Sequence, residues 1–141
     1  MDTIRPATAA DAKAVFGLLL QLATSYRPSR AAFDDTYPML TASPAAHLLV
    51  AEDDDGIQGY VYACDVPTLF ANGVITEILE LYVVESQRGQ GIGRGLVEAV
   101  VEQAREGNSV EVTVPTRRAA AFYEGIGFER TAELFKLRLS G

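Results

Sequence analysis

The sequence predicts a three-layer α/β (α+β) domain, with a sheet of about six to seven strands flanked by about four helices. Three observations point to it. β-favouring apolar runs alternate with helical periodicity in the order β-α-α-β-β-β-α-β-α-β-β. A strong strand, Thr76 to Val84, runs through a glycine-rich turn directly into a long helix. The 141 residues, 48% of them apolar, are enough to bury a core without metal or disulfide support.

The elements follow in chain order. Ile4-Arg5-Pro6 reads as a short opening strand. Thr8 and Asp11 form a capping-box-like helix start with Asp in place of Glu. Val15, Leu18, Leu19 and Leu22 then line one helical face, which fades at Ser25-Tyr26 before Pro28. Residues 29–43 read as a second, shorter helix or helical loop. His47 to Glu52 and Ile57 to Cys64 are strands joined at Asp53-Asp54-Asp55-Gly56, where the Asp-Gly pair signals a hairpin and the carboxylates face water. Residues 65–74 form a loop. The helix after the glycine turn presents Ile92, Leu96, Val100 and Ala104 in one stripe and stops at Gly107-Asn108. Val110 to Val114 is the next strand and residues 117–124 the last helix. Phe128–Arg130 and Leu134–Leu139 are expected as closing strands. No repeat or linker interrupts residues 1–141, which read as one domain.

Charge and composition exclude several function classes. The formal net charge of −7 leaves no electrostatic footprint for nucleic acid and leans toward a cationic substrate. The longest apolar stretch, Val15 to Ala23, is too short to span a bilayer, and no signal peptide is read at the N-terminus. One cysteine and one histidine make a disulfide framework or a catalytic zinc improbable, and a reducing, cytoplasmic setting is the default expectation. Cys64 reads as a buried strand thiol rather than a nucleophile, and His47 as structural.

The informative stretch lies between Thr76 and Arg105. Glycines at 89, 91, 93 and 95 let main chain approach a ligand closely. The first amides of the helix that begins there lack internal partners, and with the helix dipole they form an anion seat beside Arg88 and Arg94. The dinucleotide fingerprint G-x-G-x-x-G fails, because its last position falls on Arg94 or Leu96. The triphosphate loop fails too, since no Lys-Ser or Lys-Thr follows. What fits is R-x-x-G-x-G, as Arg88, Gly91 and Gly93.

With Leu79-Glu80-Leu81-Tyr82-Val83 ahead of it and Ala120-Ala121-Phe122-Tyr123-Glu124-Gly125-Ile126-Gly127-Phe128 about thirty residues on, this pattern resembles the GNAT superfamily of N-acetyltransferases. The resemblance covers nearly the whole chain in element order. It implies a mixed, mostly antiparallel central sheet and acetyl-CoA as acyl donor, without a metal. It further implies that backbone groups of Leu81, Tyr82 and Val83 pair with the pantetheine arm, at a strand that bulges and splays from its neighbour. Amides across Gly89, Gln90, Gly91, Ile92, Gly93 and Arg94 would hold the pyrophosphate. Tyr123 would return a proton to the leaving thiolate. Thr116 stands where the family often carries Asn, and its hydroxyl could serve instead as a helix cap or hydrogen-bond partner. Many members pair as homodimers.

Acetyl transfer to an amine needs a base, because a lysine-like amine is unprotonated in only roughly 1 of 2,500 molecules at pH 7. Glu80 is the leading candidate, with Glu77 and Glu111 as rivals. In a regular strand Glu77 and Glu80 face opposite sides, and a bulge can re-aim either. Arg117 and Arg118 are placed either at the adenosine 3′-phosphate or on the helix surface. The acceptor, a small cationic amine or a peptide amine, is expected against residues 25–45 and 65–75. There Tyr26, Phe33, Asp34, Asp35, Tyr37 and Phe70 would form a mixed aromatic and acidic wall. The alternative from another class is a non-catalytic acyl-CoA-binding sensor or interaction module.

Overall fold

Runs buried on both faces become the centre of a five-stranded sheet in the computed structural model, which describes residues 2–140. The strands are β1 (Thr3–Pro6), β2 (Ala46–Asp53), β3 (Gly56–Pro67), β4 (Val74–Val83) and β5 (Glu111–Thr113), side by side in chain order. Neighbours from β1 to β4 are antiparallel, and β5 joins β4 in parallel. The helices are α1 (Ala12–Leu22), α2 (Arg30–Ala42), α3 (Ile92–Glu106) and α4 (Ala120–Gly125).

Strand alternation divides the core into two layers. In β2, Leu48 and Val50 point toward α1 and α2, where they meet Val15, Leu18, Tyr37 and Tyr60. Leu49 and Ala51 point the other way and pack with Val61, Ile78, Leu96, Val97, Val100 and Tyr123 beneath α3 and α4. Double-sided burial explains why β2 reads as an unbroken apolar run rather than an alternating one.

The first helix is fastened to the sheet by a small ionic cluster. Arg5 donates from Nη1 to Asp11 Oδ2 at 2.8 Å, from Nη2 to Asp11 Oδ1 at 3.0 Å and from Nε to Glu52 Oε1 at 3.0 Å. The Thr8 N–H also donates to Asp11 Oδ2 at 2.8 Å, so Asp does fill the capping-box role. The Arg5 hydrogen bonds lower the pKa of buried Asp11 from 3.8 to about 2. A carboxylate depressed on folding contributes stability that is complete above its unfolded pKa and is lost as pH falls through the folded one. Asp11→Asn is therefore expected to remove about 2 kcal/mol at neutral pH and to flatten the loss of stability between pH 4 and pH 2. Urea denaturation across that range measures both effects.

Five strands form among the described residues, against the six to seven expected. Phe128–Arg130 and Leu134–Leu139 carry the period of strands yet join no ladder, and every residue from 129 to 140 is exposed. A strand pattern specifies which side chains share a face, but a ladder needs an adjacent edge, and this segment passes Tyr26 instead. Lys136 Nζ and Arg138 Cζ lie 5.6 and 5.0 Å from the Tyr26 ring centroid.

Candidate acetyl-transfer site

Two departures from regular sheet geometry build the site. The first is a bulge in β4. Tyr62 pairs with Glu80 and Ala63 with Ile78, which leaves Leu79 without an opposite residue. Without that extra residue, Glu80 would share the face of Ile78 and point into the core under α3. The bulge turns it to the α1–α2 face, where Glu77, paired with Cys64, also lies. Glu77 and Glu80 thus share a face, contrary to the regular-strand expectation. The second departure is a divergence of β4 from β5. Their ladder runs only from Ile75–Glu111 to Glu77–Thr113, so the β4 main chain from Ile78 to Val83 has no strand on that side. Leu81, Tyr82 and Val83, expected to offer backbone groups to a ligand, lie along this free edge.

Glu80 lies at a cavity of about 420 Å³ between α1, α2 and the sheet. Val15, Leu19 and Leu22 supply one wall, Phe33, Tyr37 and Leu40 the second, and Leu48, Tyr60 and Tyr62 line it from the sheet. Glu80 is the one charged residue in this lining. Its Oε1 accepts a hydrogen bond of 2.7 Å from the Tyr60 hydroxyl. Burial, with the neighbouring Glu80 charge, pushes the Tyr60 phenol strongly upward, so Tyr60 stays a donor and orients the carboxylate. Sequence reading missed Tyr60. Its signal is positional, since it sits in an apolar strand two residues from Tyr62, the partner of Glu80.

The acidic part of the expected wall is absent from the cavity. Tyr26, Phe33 and Tyr37 line it, whereas Asp34 is exposed and paired with Arg30 at 2.8 Å. Asp35 is exposed and Phe70, 79% exposed, stands apart from the cavity. Glu111 opens β5, exposed and away from Glu80.

The glycine turn follows β4. Gly89 and Gly91 have φ of 83° and 87°, values that L residues with a Cβ rarely adopt, and Gly91 caps α3 in the left-handed region. No side chain caps this terminus, and the Gly95 N–H is bonded back to Gly91 O at 2.9 Å. The preceding amides, at Ile92, Gly93 and Arg94, have no earlier turn to donate to. Together with Gly89 and Gln90 they form the bare main-chain segment the pattern called for. Arg88, expected beside the anion seat, lies at the end of β4. Its Nε donates to Val83 O at 3.0 Å and its guanidinium lies 5.2 Å over the Tyr82 ring, so it braces the end of β4. Arg94 is exposed beside Glu98 at 3.6 Å.

Tyr123 lies on the opposite face of the sheet from Glu80, in the cluster with Leu81 and Val83 of β4 and Val112 and Val114 beside the divergence. It is 5% exposed, and its ring packs edge-on against Phe122 and Phe128 at 5.0 and 5.4 Å. Burial raises its pKa to about 12. Its hydroxyl has no hydrogen-bond partner among the described residues. Thr116 Oγ1 accepts from the Ala119 N–H at 3.0 Å and so steadies the entry to α4. Arg117 and Arg118 are exposed just ahead of α4.

His47 is structural, held by Gln103 and Asp65 at 2.7 Å each. Burial pushes the Cys64 thiol up, away from the reactive thiolate. No cluster of three or more potential metal ligands occurs among the described residues, and no described helix is long and apolar enough to cross a membrane.

The chain is similar in sequence and fold to known proteins. Human N-acetyltransferase 8B is 34% identical over 92 residues, 61% of this chain and 40% of that protein, so the chain spans well under half the length of that relative. A Bacillus subtilis protein named as a putative ribosomal protein bS18-alanine N-acetyltransferase is 31% identical over 68% of this chain and 62% of its own length. The crystal structure of a Bacillus halodurans C-125 protein named as a transcriptional regulator superimposes with a TM-score of 0.90 at 25% identity, over 99% of this chain and all of that one. Residues 44–130, which contain the bulge, the glycine turn and Tyr123, match the acetyltransferase (GNAT) domain, and the chain belongs to that family.

Proposed function

We infer that residues 1–141 act as one catalytic unit that moves the acetyl group of acetyl-CoA to a primary amine by direct attack. Glu80 serves as general base and Tyr123 as general acid. The observation that carries this reading is the bulge that aims one carboxylate into an otherwise apolar cavity, beside a strand edge left free where β5 turns away.

Acetyl-CoA supplies an acetyl group activated as a thioester. The residues present fit it: main-chain amides from Gly89 to Arg94 hold the diphosphate, the free edge at Leu81, Tyr82 and Val83 meets the pantetheine amides, and Thr116 keeps α4 in position. Glu80 takes the proton of the incoming ammonium, directly or through water, while Tyr60 fixes its orientation. Tyr123 Oη donates its proton to the departing sulfur. Its raised pKa keeps that proton in place throughout the neutral range. The unpaired cysteine suits a reducing compartment, and the cytoplasm is the proposed location.

The lining narrows the acceptor to a primary amine on an apolar or aromatic body. Every apolar CH₂ taken from water contributes about 0.8 kcal/mol, whereas each extra ammonium of a polycation enters this cavity without a partner. One carboxylate matches one ammonium. Thiol release from acetyl-CoA, followed with arylalkyl amines, alkyl amines, polyamines, aminoglycosides and N-terminal peptides, tests this. Single amines with apolar bodies are expected to give kcat/KM at least about tenfold above the polycations. Superior turnover of polyamines or aminoglycosides overturns the acceptor class. A superior N-terminal peptide moves the acceptor toward that of the Bacillus subtilis relative. Coenzyme binding with no turnover on any amine identifies a non-catalytic module instead.

A further inference from the structure

The cavity that holds Glu80 carries charge at its rim as well as at the sheet. Tyr26 lines it and is 60% exposed, so its ring stands where the cavity meets solvent. Residues 129–140, exposed throughout, pass this ring. Lys136 Nζ lies 5.6 Å and Arg138 Cζ 5.0 Å from its centroid, each within cation–π range. Alternation along an extended segment puts residues 136 and 138 on one side, so the two cations arrive together. Neither pairs with a carboxylate among the described residues. Arg27, next to Tyr26, is exposed as well.

Such a concentration of positive charge runs against the chain as a whole, which has 12 basic residues to 19 acidic ones. The neighbouring acid on α2 does not offset it, because Asp34 is committed to Arg30 at 2.8 Å. Glu80 is the one charged residue of the lining, held by the Tyr60 hydroxyl at 2.7 Å. The cavity is therefore polarised: negative at the sheet, positive at the Tyr26 rim, with apolar walls between. We propose that the acceptor is bipolar, a primary amine at one end of an apolar body and a carboxylate at the other. The ammonium meets Glu80, and Lys136 and Arg138 take the carboxylate at the rim, where the planar guanidinium fork matches its two oxygens. A second ammonium at that end would face two like charges, and a neutral end would leave both cations unused. Because the rim is wet, the gain is modest and sensitive to salt.

The proposal rests on the acceptor reading above and adds a second pole to it. Three matched amines test it: phenethylamine, its para-carboxylate, and its para-aminomethyl counterpart with a second ammonium. Calorimetry on the purified chain, with and without coenzyme A, reads binding, and thiol release from acetyl-CoA reads turnover. The carboxylate is expected to bind about fivefold tighter than phenethylamine, and the dication more weakly than both. That preference should fall toward unity as salt rises from about 0.02 M to about 0.5 M. Arg138→Glu is expected to abolish it. Arg130→Glu makes the same change of net charge on the same segment, at a side chain that faces Glu124 instead, and should keep it. Selective binding without thiol release supports the rim and removes the acyl-transfer reading. Turnover of all three amines at equal kcat/KM, or a preference lost equally in Arg130→Glu, overturns the rim and leaves acyl transfer standing. A lead for the dication, or binding of none of the three, overturns the rim as well.

Discussion

Tyr123→Phe is expected to lower kcat by about 10²-fold, the lower end of what a positioned acid contributes, while acetyl-CoA affinity changes by no more than about twofold. The contrast arises because the substitution removes one oxygen from a ring that is otherwise held by packing. Phe122 and Phe128 grip the ring edge-on, the side chain is buried, and the hydroxyl bonds to nothing else in the described chain. Stability should therefore stay near that of the parent. The pH dependence gives a second check. With its pKa pushed to about 12 by burial, the phenol stays protonated through any practical assay, so tyrosine ionisation should impose no alkaline fall in rate below about pH 11. Steady-state kinetics with calorimetric titration of the coenzyme separates the two effects. An unchanged kcat would remove Tyr123 from the mechanism.

The second large effect is expected at Glu80. Glu80→Gln keeps the shape of the side chain but cannot accept a proton, and kcat/KM at neutral pH should fall by about 10²- to 10³-fold. The deficit should shrink by about tenfold per pH unit as the solution approaches the pKa of the acceptor, about 10.4 for a lysine-like amine, because the amine then arrives already neutral. A merely structural role would not produce that recovery. Glu77→Gln, on the same face but outside the cavity lining, serves as the control and should retain near-parent activity. Equal losses in the two variants, or a pH-independent loss in Glu80→Gln, would reassign the base.

Much of this protein is legible before folding is considered. The helices of residues 12–22 and 92–106 follow from apolar spacing and their stop signals, and the hairpin at Asp55-Gly56 from turn chemistry, because both depend on near neighbours in the chain. Residues 30–42, read only as a shorter helix or helical loop, instead form a 13-residue helix that runs through Pro38 and exceeds the 11 residues of α1. The glycine-rich turn is likewise legible as a bare main-chain segment, whereas positive φ at Gly89 and Gly91, and not at Gly93 or Gly95, emerges only in the folded turn.

Other features depend on contacts between distant segments. The bulge at Leu79 exists only against β3, and it reverses the regular-strand inference about Glu77 and Glu80. Tyr60 becomes the partner of Glu80 only through strand register, across twenty residues. The acidic wall expected from Asp34 and Asp35 dissolves because helix phase turns both carboxylates to water, leaving Glu80 alone among apolar walls. The closing strands illustrate the same division: periodicity selects which side chains of residues 134–139 share a face. Whether they enter a ladder depends on the edge available to them, a property of the assembled sheet rather than of the segment.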